Sequence, residues 1–137
     1  MKADIGVIGM AGMGQNLALN MESKGYRVGV YNRTRGRTEE LVQERAQGRR
    51  ITPAYDLETF VASLSPPRKV LSMVKAGSAT DVVLGKLFPL LEGGDMVMDG
   101  GNAHFPDTDR RLADAEERGL RYLGVGISGG EAGALDG

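Results

Sequence analysis

The stretch "DIGVIGMAGMGQNLALN", residues 4–20, decides how the rest of the chain is read. Residues 4–9 form a short, β-branched apolar run closed by glycine, which predicts a buried strand. The run passes directly into Gly9-Met10-Ala11-Gly12-Met13-Gly14. Leu17, Met21 and the small residues between them then suit a helix over residues 12–24, stopped at Gly25. Each glycine-rich position has a physical task in such a turn. Gly9 makes the sharp exit from the strand, a small residue at 11 lets backbone approach a pyrophosphate, and Gly14 lets the helix pack close to the strand. Amides at the helix start, aided by its dipole, can then hold phosphate. The pattern is G-x-A-x-x-G, with Ala11 where a second glycine is usual. In a chain with 21 glycines a plain strand-to-helix turn is the competing reading. Its place in the first βα turn favours dinucleotide binding.

Outward from this motif, strands and helices alternate. "YRVGVY" (26–31), "KVLSMV" (69–74), "DMVMD" (95–99) and "RYLGVGIS" (121–128) read as further strands. Helices are predicted over residues 38–46, from an Asp56 cap to about residue 63, from Ser78 with Asp81 as a capping-box partner, and over 107–118. Leu57, Phe60, Val61 and Leu64 form one apolar stripe, "SPPR" stops that helix, and Pro89 ends or bends the next. Near-continuous apolar strands joined by helices predict an α/β fold, a doubly wound, mostly parallel sheet of Rossmann type with helices on both faces. No linker or composition shift divides residues 1–137, so one domain is expected.

Composition narrows the function. Lys and Arg total 17 against 18 Asp and Glu, so no global field draws the chain to nucleic acid or to an anionic membrane. Cysteine is absent, excluding disulfides and thiolate metal sites, and the single His104 makes a histidine zinc site implausible. No apolar run approaches the ~20 residues of a membrane span. A cytoplasmic location is the default expectation.

"YNRTRGR" (31–37) ends the second strand, where an adenosine ribose would sit. An NAD site often has a carboxylate here, yet no acid occurs between Arg27 and Thr38. A carboxylate repels a 2′-phosphate, whereas the guanidinium of Arg33 can bind it through charge-assisted hydrogen bonds. Asn32 and Thr34 add neutral groups. NADP is therefore the expected cofactor; Arg35 and Arg37, taken singly, read better as a solvated basic loop. At the same sheet edge lie Lys75 in "VKAG", Asn102 in "DGGN", and Ser128, Gly129 and Gly130 in "GISGGEAGA". His104 reads as a surface or capping histidine, the methionines as core filler, and the charges of residues 107–118 as a solvated face.

"GVIGMAGMGQNLALN", "YNRT", "MVKAG", "MDGGN" and "GISGGEAGA", in this order, resemble the N-terminal coenzyme domain of the decarboxylating 6-phosphogluconate dehydrogenases over practically the whole chain. The resemblance implies that Gly9, Met10, Ala11, Gly12, Met13, Gly14, Asn32, Arg33, Thr34, Val74, Lys75, Ala76 and Asn102 contact NADP. It implies that Asn102, Ser128, Gly129 and Gly130 contact 6-phosphogluconate. The implied reaction, part of the pentose phosphate pathway, oxidises that substrate at its third carbon and releases carbon dioxide to leave ribulose 5-phosphate, without a metal. This chain departs from the family's "GGEEGA" at Ala132. The family's catalytic lysine and glutamate, and the helical domain that forms its homodimer, lie further along than Gly137. The expectation is a fragment, inactive alone, that binds NADP and neither nucleic acid nor membrane. A β-hydroxyacid dehydrogenase domain, or a nucleotide-binding module without chemistry, is the alternative.

Overall fold

The computed structural model describes residues 2–10, 12–74, 78–100 and 105–124. Its elements, in chain order, are β1 (Ile5–Ile8), α1 (Gly12–Ser23), β2 (Val28–Tyr31), α2 (Arg35–Glu44), β3 (Ile51–Ala54), α3 (Leu57–Ala62), β4 (Lys69–Ser72), α4 (Ser78–Leu87), β5 (Met96–Asp99), α5 (Phe105–Glu117) and β6 (Arg121–Gly124). A 3-10 turn over Phe88–Leu90 follows α4 and accommodates Pro89. The six strands form one parallel sheet in the order β3-β2-β1-β4-β5-β6. Connections run outward in both directions from β1. The crevice between the carboxyl ends of β1 and β4 is therefore the topological switch point at which such sheets bind ligands.

Alternation along the strands sends side chains to two cores. Val7, Val28 and Val30 pack with Ala18, Leu19 and Leu41 under α1 and α2. Ile8, Val70 and Val97 pack with Phe60, Leu64, Leu84 and Leu87 under α3 and α4. Gly6 and Gly29 are register partners, and their missing side chains have one reason. A Cβ on Gly6 would overlap the Phe60 ring, and one on Gly29 would press on Leu64 at 3.1 Å. The two glycines open a hollow in the sheet that α3 fills, which offsets the weakness that glycine brings to a strand.

Two expectations change here. β3 was not anticipated, because Pro53 interrupts its short apolar run; proline is tolerated since β3 is an edge strand paired only with β2. Helix α2 begins at Arg35 with Thr34 as N-cap, three residues before the expected start, so Arg35 and Arg37 belong to its first turn and not to a loop. Asp81 directs its carboxylate to Arg110 and Arg111 of α5, and the side chain of Ser78, its expected capping partner, lies outside the described residues. Elsewhere the expected punctuation holds: Asp56 accepts from the Thr59 N–H at 2.7 Å, and Gly25 and Gly119 end helices with φ of +105° and +74°.

Candidate functional site

The turn after β1 is built as its residue types require. Gly9 takes φ +101°, and a Cβ there would press on the Met73 carbonyl group at 3.1–3.2 Å; a Cβ on Gly14 would overlap the Gly9 carbonyl oxygen. Backbone hydrogen bonds from Gly9 N–H to Tyr31 O (2.9 Å) and from Met73 N–H to Ile8 O (2.7 Å) tie the turn to β2 and β4. Gly12, Met13 and Gly14 open α1, so the unpaired amides of its first turn stand at the switch point.

Met10 holds this turn in place. Its side chain is fully buried. Its N–H donates to Asn32 Oδ1 (2.9 Å), and its carbonyl accepts from Gln15 Nε2 (2.9 Å). Asn32 Nδ2 in turn donates to Thr34 O at 2.9 Å, and Arg45 donates to Gln15 Oε1 at 3.1 Å and to Asn16 Oδ1. Asn32 thus fastens the glycine turn to the β2–α2 turn, and Met10 is enclosed with both of its backbone polar groups engaged. The sequence carried no local signal for Gln15 or Arg45 as braces, because their pairing spans 30 residues and depends on how α2 packs against α1.

A cleft of about 270 Å³ opens beside the turn. Ile8 and Gly9 form its floor, Met73, Val74, Val82 and Val83 an apolar wall, and Tyr31, Asn32, Arg33 and Thr34 the opposite lip. Burial raises the Tyr31 phenol above its usual pKa, which keeps it neutral at that lip. Arg33 is exposed, and among the described residues no carboxylate or hydrogen bond engages its guanidinium. Arg35, two residues on, is already occupied: Nε lies 2.7 Å from Glu39 Oε1, and its guanidinium stacks 4.1 Å from the Tyr55 ring centroid. The first turn of α2 holds arginines and no acid, and Thr34 makes no side-chain cap bond. The positive end of that helix dipole is therefore left for an outside anion.

The cluster at the end of β5 answers a different need. Asp99, first residue of "DGGN", is buried; Tyr122 donates to its Oδ2 at 2.9 Å, and Arg111 Nη1 lies 3.6 Å away. Arg111 is buried too, which corrects the expectation that α5 presents only a solvated charged face; Arg118 with Asp114 fits that description. Burial, then the hydrogen bond to Asp99, drives the Tyr122 hydroxyl pKa far upward. Expected contacts at Ala11, Lys75, Ala76, Asn102, Ser128, Gly129 and Gly130, and the reading of His104, lie outside the described residues. Among the described residues no His/Asp/Glu group could hold a metal ion, and no helix is long and apolar enough to cross a membrane.

A parallel sheet reversing order at β1, a glycine turn feeding α1 and a cleft between β2 and α4 define a dinucleotide-binding domain of the Rossmann type. The profile described as the NAD binding domain of 6-phosphogluconate dehydrogenase matches residues 4–137, and the chain belongs to that family. The NAD(+)-dependent decarboxylating 6-phosphogluconate dehydrogenase of Bacillus subtilis is 56% identical over 97% of the chain, and the NADP(+)-dependent enzyme of the same organism 53% identical over 99%. A Plasmodium falciparum 6-phosphogluconate dehydrogenase, solved apo, with NADP+ and with 6-phosphogluconate, superimposes with a TM-score of 0.90 at 43% identity over 96% of the chain. The chain spans only 28–29% of the length of these proteins.

Proposed function

We propose that the chain is the coenzyme domain of a decarboxylating 6-phosphogluconate dehydrogenase that uses NADP. The observation that carries the cofactor choice is Arg33, exposed at the lip of the cleft with no carboxylate partner among the described residues, at the amino end of a helix whose first turn has no acid. Overall identity does not decide the matter, since relatives named for NAD and for NADP are nearly equally similar. Local chemistry supports NADP: a 2′-phosphate beside Arg33 would gain a charge-assisted contact that the 2′-hydroxyl of NAD cannot supply.

The residues present fit the group. The overlap that a Cβ at Gly14 would cause with the Gly9 carbonyl fits the close packing of α1 on the end of β1 that brings the first-turn amides of α1 to the switch point. The apolar wall of Val74, Val82 and Val83 suits an adenine face, the lip of Arg33 and Thr34 its phosphorylated ribose, and the start of α1 the pyrophosphate. When bound, the nicotinamide ring supplies the hydride acceptor for oxidation of the sugar acid. Ala11, Lys75, Ala76 and Asn102 complete the cofactor set in this reading, with Asn102, Ser128, Gly129 and Gly130 on the substrate. The whole protein is a cytoplasmic homodimer in this reading, with its proton-transfer groups outside this domain. The test is titration of the chain with NADP and NAD. NADP is expected to bind at least tenfold more tightly, about the value of one charge-assisted hydrogen bond. Equal affinities overturn the cofactor assignment.

A further inference from the structure

Arg111 is an unusual residue to bury. Its side chain is 3% exposed on α5, and two carboxylates from separate elements converge on it. Nε donates to Asp81 Oδ1 of α4 at 2.9 Å, and Nη1 lies 3.6 Å from Asp99 Oδ2 at the end of β5. Asp81 is further held by Arg110 Nη2, at 3.1 and 3.0 Å from its two oxygens. Asp99 is further held by Tyr122. Burying a guanidinium costs free energy that an apolar side chain of similar size would avoid. Stability alone therefore does not account for an arginine here.

What the bridge fixes lies one residue beyond Asp81. Val82 and Val83 are the α4 residues that line the nucleotide cleft, and Val82 is half exposed there. Among the described residues of this helix, Val83, Leu84 and Leu87 join the core, through apolar contacts without hydrogen-bond direction. Such contacts pack a ten-residue helix against the core, and an ion pair adds a directional constraint that apolar contacts lack. A planar guanidinium that engages one carboxylate through Nε and approaches another through Nη1 adds the missing orientation; an ammonium has no such fixed fork. We propose that Arg111 is a positioning residue for the cofactor site, holding the Val82–Val83 wall in register with the β5 edge through Asp81 and Asp99. The inference rests on the reading of the cleft as the dinucleotide site.

The experiment uses the full-length protein, the Asp81→Asn and Arg111→Lys variants, and Asp114→Asn as a control that breaks an exposed ion pair on the same helix. Each is titrated with NADP and with adenosine 2′,5′-bisphosphate, which occupies the cleft without needing the glycine turn, and each is melted. Asp81→Asn retains the buried Arg111–Asp99 contact and is expected to fold even if Arg111→Lys does not. Asp81→Asn, and Arg111→Lys where it folds, should weaken both ligands by a similar factor, roughly three- to tenfold, as misplacement of a binding wall predicts. Asp114→Asn should bind like the wild type. Wild-type affinity for both ligands in Asp81→Asn, with or without a lowered melting temperature, overturns the positioning role. If the wild-type protein binds neither ligand, the reading of the cleft falls, and the inference with it.

Discussion

At the carboxyl end of β2 the guanidinium of Arg33 stands exposed at the lip of a cleft, whereas on α5 that of Arg111 lies buried between two carboxylates. The first region is built of small groups and backbone: Gly9 with its left-handed φ, Gly14 against the Gly9 carbonyl, and Asn32 and Gln15 fastening Met10 from both sides. The second is built of long charged side chains that satisfy one another. The contrast separates an arginine left open at a cleft from one enclosed by the protein's own carboxylates. Side-chain burial and the supply of nearby carboxylates distinguish them, and neither is a property of the residue type. It also explains why "DGGN" begins with an aspartate: Asp99 anchors the strand end from below, through Tyr122 and Arg111.

The largest effect is expected in the buried region. Arg111→Met leaves the Asp99 carboxylate buried beside a methyl-terminated chain, and breaking a buried pair from one side costs about 3–5 kcal/mol. Denaturant unfolding should show that loss; a loss under ~1 kcal/mol would place Arg111 among ordinary surface arginines. Gly14→Ala comes next and acts in the other region. Its Cβ meets backbone, which cannot swing aside, so overpacking of about 1–3 kcal/mol is expected together with a large fall in affinity for NADP and NAD alike. Retained affinity would show that the turn does not approach a pyrophosphate.

Arg33→Ala should leave stability nearly unchanged, since its guanidinium has no partner among the described residues. The same variant should lose about 1.5–3 kcal/mol of NADP binding while NAD binding is preserved. Equal losses for the two cofactors would remove the distinction on which the comparison stands.

These expectations were unevenly legible in the amino-acid sequence. Gly9, Gly14, Arg33 and the alternation of strands with helices could be read because turn chemistry and periodicity are local properties. β3 was hidden by Pro53, whose acceptability depends on the strand lying at an edge, a tertiary fact. The Asp81–Arg111–Asp99–Tyr122 cluster was hidden because its partners stand 12 to 30 residues apart and α5 is dense with charge. One signal was present. Arg111, Leu112 and Ala115 fall on a single helical stripe that the structure turns toward the core, so Arg111 occupied an apolar position before any contact was known.

The buried region also sets a limit at high pH. Tyr122 is held protonated in the folded state by burial and by Asp99, so its folded pKa lies above the unfolded value near 10. The folded state then binds more protons than the unfolded one once pH exceeds that value, and stability falls as pH rises further. Tyr122→Phe should be less stable at neutral pH because Asp99 loses a donor, yet its stability should decline less steeply above pH ~10. Parallel alkaline slopes for the two proteins would mean that the hydroxyl is not held as described.

The smallest effect tests the comparison at its narrowest point, between arginines two residues apart. Arg35 is paired with Glu39 and stacked on Tyr55, and its side chain is largely exposed. Arg35→Ala removes a surface pair that salt already screens, so a slight fall in melting temperature is the only change expected in stability. The ratio of NADP to NAD affinity should match the wild type, because Arg35 does not line the cleft and its fork is committed elsewhere. A ratio that collapsed as it does for Arg33→Ala would mean that the 2′-phosphate is met by the whole basic turn, with Arg35 leaving Glu39 and Tyr55 to reach it. The same titration run with Glu39→Gln decides between the two. A single-residue lip predicts no change in the ratio, and a shared one predicts a rise as Arg35 is released from its carboxylate.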